Sequence, residues 1–189
     1  MKRLLLFTSL VLGLPACDEC GPFEQQYVDV IGLSAVLTRQ AAGATLQVLT
    51  PGQASPVAEL NLLLNLDTRL YSAAPVRTGG FAALACDPAG PTFTEMIDSV
   101  RITSRYAFDA QHPAGTPLND LLRLDNGYGG AVTLSELLRT PQSVQNLLYR
   151  HLQFTQAPTS SATQQFRVRY HQTNGEVYTA ETVSVTVQP

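Results

Sequence analysis

Apolar and polar residues alternate along much of the chain with the two-residue period of half-buried strands. In residues 58–66, Leu60, Leu62, Leu64 and Leu66 share one face. Glu59, Asn61 and Asn65 take the other, interrupted by Leu63. Residues 27–37 are rich in β-branched and aliphatic side chains and predict a long first strand. Further strands are expected at 44–49, closed by Thr50-Pro51-Gly52, at 96–108 and at 147–155. Near the C-terminus, residues 165–172 and 176–187 flank Asn174-Gly175, the strongest short hairpin signal. On the first arm Phe166, Val168 and Tyr170 alternate with Arg167, Arg169 and His171. On the second, Val183, Val185 and Val187 alternate with Thr182, Ser184 and Thr186. A two-residue turn, with Asn174 and Gly175 both at positive φ, pairs Val168 with Glu181. The valine face then turns Glu181 inward, so a bulge near 180–182 is expected to relieve the conflict.

The helical signals are concentrated in the middle. Thr116 is a candidate N-cap, Pro117 suits a first helical position, and leucines follow through residue 123. Thr133-Leu134-Ser135-Glu136 matches a capping box and predicts a short helix to Arg139, stopped by Pro141. Between them, Asp125-Asn126-Gly127-Tyr128-Gly129-Gly130 predicts a turn-rich loop. About seven strands with Pro/Gly-rich joints give an all-β or mainly β fold. The expected form is an antiparallel β-sandwich, immunoglobulin-like or transthyretin-like, with one or two short helices inserted at about 116–141.

The first residues follow another pattern. Lys2 and Arg3 precede an apolar run, residues 4–14, too short to span a bilayer as a helix. A basic start and a short apolar run form a secretory signal. The run ends Leu14-Pro15-Ala16-Cys17, which resembles the bacterial lipoprotein signal: an apolar residue, small residues, then Cys, with Pro15 an uncommon occupant. That resemblance implies cleavage before Cys17, lipidation of its sulfur, and anchorage to a membrane. The expected organisation is a signal peptide at 1–16, a lipidated tether at 17–22 and one domain at 23–189. Such a protein belongs in the bacterial cell envelope, facing the periplasm or the cell surface.

Composition narrows the chemistry. The 189-residue chain has a formal net charge of −3, and Lys2 is its sole lysine. Losing Lys2 and Arg3 with the signal makes the balance more acidic, which disfavours nucleic acid as a partner. A mature chain without lysine cannot perform Schiff-base chemistry or place a Walker-type phosphate lysine. With Cys17 committed to lipid, Cys20 and Cys86 remain. An even pair in an oxidising compartment predicts a disulfide, with two free thiols as the alternative.

Candidate catalytic chemistry is sparse. His112 sits in a loop, and His151 and His171 fall on polar strand faces. None has metal-ligand spacing, so hydrogen-bonded or solvent-facing roles are expected, with no metal and no cofactor. Asp109 and His112 with a Ser or Thr could form a hydrolase site, but no G-x-S-x-G elbow is present. Arg167 and Arg169 could meet an acidic partner or stay solvated, and Tyr71, Tyr106 and Tyr128 could line a ligand surface.

Cys20, Ala85-Cys86-Asp87-Pro88, the strand at 97–104, Ala114-Gly115-Thr116-Pro117-Leu118-Asn119-Asp120 and the C-terminal hairpin together resemble a family of uncharacterised bacterial lipoproteins. The resemblance supports the anchor and assigns no activity. The expected function is a lipid-anchored, non-enzymatic module for binding, adhesion or assembly. Alternatives are an accessory lipoprotein that binds a glycan or peptide, and an envelope hydrolase.

Overall fold

The computed structural model describes residues 25–72, 90–125 and 130–189. They fall into two units. The described residues of the smaller are 25–27, 70–72 and 90–92, where Tyr27 stacks on Tyr71 with ring centroids 5.6 Å apart and Gln25 donates to Thr92 Oγ1 at 3.0 Å. The larger comprises Val28–Arg69 and Phe93–Pro189 and contains the core.

The architecture is mainly β, sandwich-like and built of antiparallel sheets, with one parallel pair. A seven-stranded sheet follows the order β2 (Gln47–Val48), β1 (Gln26–Arg39), β4 (Leu60–Ser72), β10 (His151–Phe154), β7 (Leu122–Asp125) and β8 (Ala131–Thr133). β5 (Thr92–Phe93) pairs with β1 off this path. A four-stranded sheet is ordered β13 (Val177–Glu181), β12 (Phe166–Gln172), β6 (Met96–Ser104) and β9 (Gln142–Ser143). In the third sheet β14 (Val185–Gln188) lies between β11 (Ala162–Gln164) and β3 (Ala54–Pro56), parallel to the latter.

The period-two pattern explains the packing. Leu60, Leu62, Leu64 and Leu66 of β4 are all buried, as are Ile97, Val100 and Ile102 of β6 and Phe166, Val168 and Tyr170 of β12. Among the polar residues of these strands, Asn61, Ser104 and Gln172 are buried, and the Asn61 amide donates to the Glu59 carbonyl at 3.1 Å. One hydrophobic cluster draws on all three sheets, with Val185 and Val187 contributed by the third. Phe108, Phe154 and Phe166 form a ring series through it, with successive centroids 5.6 and 5.0 Å apart.

The C-terminal hairpin forms with a different turn from the expected one. Gly175 has φ of 90°, whereas Asn174 is not at positive φ. Gly175 N–H donates to the Gln172 carbonyl at 3.0 Å, and Gln172 N–H to the Glu176 carbonyl at 2.9 Å. This is a three-residue loop, a tight turn followed by glycine in the left-handed region. The extra turn residue shifts the register by one, so Arg167, not Val168, faces Glu181. Glu181 points to solvent and pairs with Arg167 (N–O 2.6 Å), so the expected inward Glu181 and its compensating bulge do not arise. Beyond Glu181 the chain leaves the four-stranded sheet and enters the third as β14, the corner a sandwich requires. Val183 at this corner is half-buried rather than buried.

The helix expected from Thr116 is absent. Residues 115–119 run instead beside β6: Gly115 N–H donates to the Ser104 carbonyl (2.8 Å), Pro117 bridges Thr103, and Leu118 N–H donates to the Ile102 carbonyl (2.8 Å). Asn119 completes this edge with its side chain. Its Oδ1 accepts from Ile102 N–H at 3.0 Å, and its Nδ2 donates to the Val100 carbonyl at 2.6 Å. Leu122 to Asp125 then form β7, and Leu118, Leu121 and Leu122 reach the core from turn and strand. The second helix, α1 (Leu134–Leu137), does form, with both bonds of the Thr133/Glu136 capping box in place. The expected strand at 147–155 is shorter, β10, preceded by a 3-10 turn at Val144–Asn146.

Asn119→Ala removes both side-chain bonds and strands two part-buried backbone groups of β6. It is expected to destabilise the fold by about 2–4 kcal/mol, measured as a shift in denaturant midpoint. Asn119→Asp keeps the acceptor and is expected to lose less. Gly175→Ala places a Cβ at positive φ and should cost about 1–2 kcal/mol; an unchanged midpoint would show that the turn refolds without strain.

Candidate functional site

The most organised polar site is the loop that follows β6. Phe108 N–H donates to the His112 carbonyl at 2.9 Å and closes the loop. Within it Asp109 Oδ1 accepts from three groups: Gln111 N–H at 2.8 Å, His112 N–H at 2.7 Å and His112 Nδ1 at 2.8 Å. The other ring nitrogen, Nε2, lies 3.3 Å from Asp120 Oδ2. Buried Gln164 ties the base of the loop, donating to the Ala107 carbonyl at 3.0 Å and accepting from Ser104 Oγ. Burial opposes charging of His112. Its hydrogen bonds to Asp109 and Asp120, with their negative charge, outweigh that and hold its pKa above the ordinary 6.5. Burial likewise tends to raise the Asp109 carboxyl, but its bonds to His112 and Gln111 prevail and hold it below 3.8. The sequence placed Asp109 beside His112. The structure adds Asp120 on the other ring nitrogen, so both nitrogens of the imidazole face carboxylates and the three side chains clamp the loop.

Two clefts border the sheets. One, of about 630 Å³, is lined by Arg123, Tyr149, Arg150 and His151 among others. Tyr149 there is 69% exposed and is the one non-glycine at positive φ among the described residues (57°). The other, of about 550 Å³, is lined by Thr103, Arg105, Gly115, Gln165, Arg167 and Glu181 among others. It opens on the solvent face of the four-stranded sheet. On that face Arg169 stands directly opposite Arg101, and Arg167 opposite both Thr103 and Glu181. Alternation within β12 made the outward direction of Arg167 and Arg169 legible. The juxtaposition of Arg169 with Arg101 depends on strand register, for which the sequence carried no signal.

The remaining candidates are dispersed. Cys17, Cys20 and Cys86 lie outside the described residues, as does Tyr128 with the loop residues 126–129. His151 is exposed at the first cleft, and His171 is half-buried on β12. Tyr71 belongs to the smaller unit and Tyr106 to the larger. Among the described residues no cluster of His, Cys, Asp or Glu could hold a metal ion, and no helix is long and apolar enough to cross a membrane. No family model matches the chain, and neither a curated protein nor a solved structure does so.

The clamp makes stability depend on pH in a defined sense. The raised His112 pKa contributes stability that is full below 6.5 and is lost as pH rises through the folded value. The lowered Asp109 pKa contributes stability present above 3.8 and lost as pH falls through the folded value. The thermal-midpoint gap between wild type and His112→Gln should therefore be widest between about pH 4 and 6 and narrow by about pH 9. A gap that stays constant over that range would remove the charged clamp from the account.

Proposed function

We propose that the chain is a lipid-anchored binding module of the bacterial cell envelope, with no catalytic role. The observation that carries this reading is the basic start and apolar run ending in Leu14-Pro15-Ala16-Cys17. Cys17 becomes the first mature residue and bears the lipid. One acyl chain binds a membrane only marginally, whereas the two or three chains of a lipoprotein anchor hold it stably. Cys20 and Cys86 form a disulfide that ties the tether to the domain, which the chain-entropy model values at about 4 kcal/mol. The resemblance to uncharacterised bacterial lipoproteins supports the same assignment. The non-catalytic reading is supported by His112, both of whose ring nitrogens are engaged by carboxylates. The partner is a protein or glycan of the envelope, met by the sheet faces and clefts of the larger unit.

Detergent phase partition tests the anchor. Wild-type protein expressed in a bacterium is expected in the detergent phase, and Cys17→Ser in the aqueous phase. Recovery of the wild type in the aqueous phase overturns the anchor. In the same preparation a thiol reagent should label neither Cys20 nor Cys86 until reductant is added; labelling beforehand overturns the disulfide alone.

A further inference from the structure

The solvent face of the four-stranded sheet carries an arrangement that folding does not require. Arg169 of β12 and Arg101 of β6 are direct cross-strand partners. Directly opposed side chains in an antiparallel pair have Cβ atoms about 4.5–5.5 Å apart, where like charges destabilise. Among the described residues no acid pairs with either. Arg101 makes one long contact, 3.4 Å to the Gly115 carbonyl, and Arg169 has no polar partner among the described residues. Glu181, the acid on the neighbouring strand, is engaged by Arg167. Arg105 adds a further cation along the cleft beside it, where Arg167 is paired with Glu181. This is a concentration of cation on a chain whose formal net charge is −3.

We propose that this face binds an acidic polysaccharide whose sugar rings carry carboxylates. The proposal deepens the binding-module reading and rests on it. Guanidinium groups offer paired N–H donors in the fork that matches a carboxylate. Thr179 and Thr103, which flank Arg169 and Arg167 across the strands, add hydroxyls suited to sugar hydroxyls. An acidic peptide fits less well. β12 and β6 are interior strands paired on both sides, so no peptide can add to them as a further strand. The Thr179–Arg169–Arg101 and Glu181–Arg167–Thr103 rows also lack an apolar or aromatic anchor of the kind protein interfaces use.

The test titrates the full-length protein in nonionic detergent with polygalacturonate, uncharged dextran and polyglutamate. Polygalacturonate should bind, dextran should not, and polyglutamate should bind more weakly. The R101Q/R169Q double variant should bind polygalacturonate about tenfold more weakly, while Arg139→Gln, elsewhere on the surface, should bind as wild type does. Arg169→Gln alone should leave the thermal midpoint unchanged or raise it by about 1–3 °C, because it removes a repulsion. No binding of polygalacturonate, equal binding by the double variant, or polyglutamate binding as tight as polygalacturonate overturns the proposal. So does a lowered midpoint for Arg169→Gln, which would make that arginine structural. Phase partition reads the anchor and titration reads the face, so failure of one is distinguishable from failure of the other.

Discussion

A buried strand must satisfy the hydrogen-bonding groups on both of its edges, and β6 is the strand on which this constraint weighs most. Ile97, Val100 and Ile102 are buried beneath it, so its backbone cannot rely on water. β12 occupies one edge along the whole strand. β9 reaches only Met96 and Ile97 on the other. Residues 115–119 supply the remainder, ending in the two bonds of the Asn119 amide. The loop before them must turn back within a few residues of Ser104. Asp109 and His112 make that reversal, and Gly115 allows the chain to leave it at φ of 80°. The clamp and one wall of the 550 Å³ cleft are thus consequences of how β6 is paired.

The same constraint explains what the sequence misrepresented. Thr116-Pro117 followed by leucines is a sound local signal for a helix. A helix there would satisfy its own backbone and leave β6 open. The long-range bonds prevail because they satisfy two segments at once, and Leu118 and Leu121 still reach the core without a helix. The Thr133 capping box succeeded because both of its bonds are local to α1 and no neighbouring strand competes for them. Strand faces were legible for a related reason: burying alternate side chains is decided within each strand, as in Phe166, Val168 and Tyr170.

Register was not legible, and both features of chemical interest depend on it. Counting Asn174-Gly175 as a two-residue turn opposes Val168 to Glu181, while the loop that forms opposes Arg167 to Glu181. One residue of turn length separates a carboxylate driven inward from a surface ion pair. Pairing of β12 with β6 sets Arg169 against Arg101, strands separated by more than sixty residues of sequence. Asp120 reaches His112 through the same non-helical path of residues 115–120, so a helix at that position would have concealed it.

The ion pair and the opposed arginines also differ in what they can contribute. Arg167 and Glu181 are side chains largely open to water, where such a pair adds about 0–1 kcal/mol. The Arg169–Arg101 pair lies at the same depth and takes away a comparable amount. Neither decides whether the chain folds; the core beneath β6 and β12 does that. Their value lies in position. The β12 and β6 backbones are paired on both edges, so the guanidinium groups project from a rigid base and only their side chains need ordering when an anion arrives. A ligand that brings carboxylates to this face offsets the repulsion and meets donors already close together, the condition under which a modest number of contacts yields specific binding. A surface arranged this way folds without a ligand and would gain from one that carries carboxylates, which is what the proposed binding role requires.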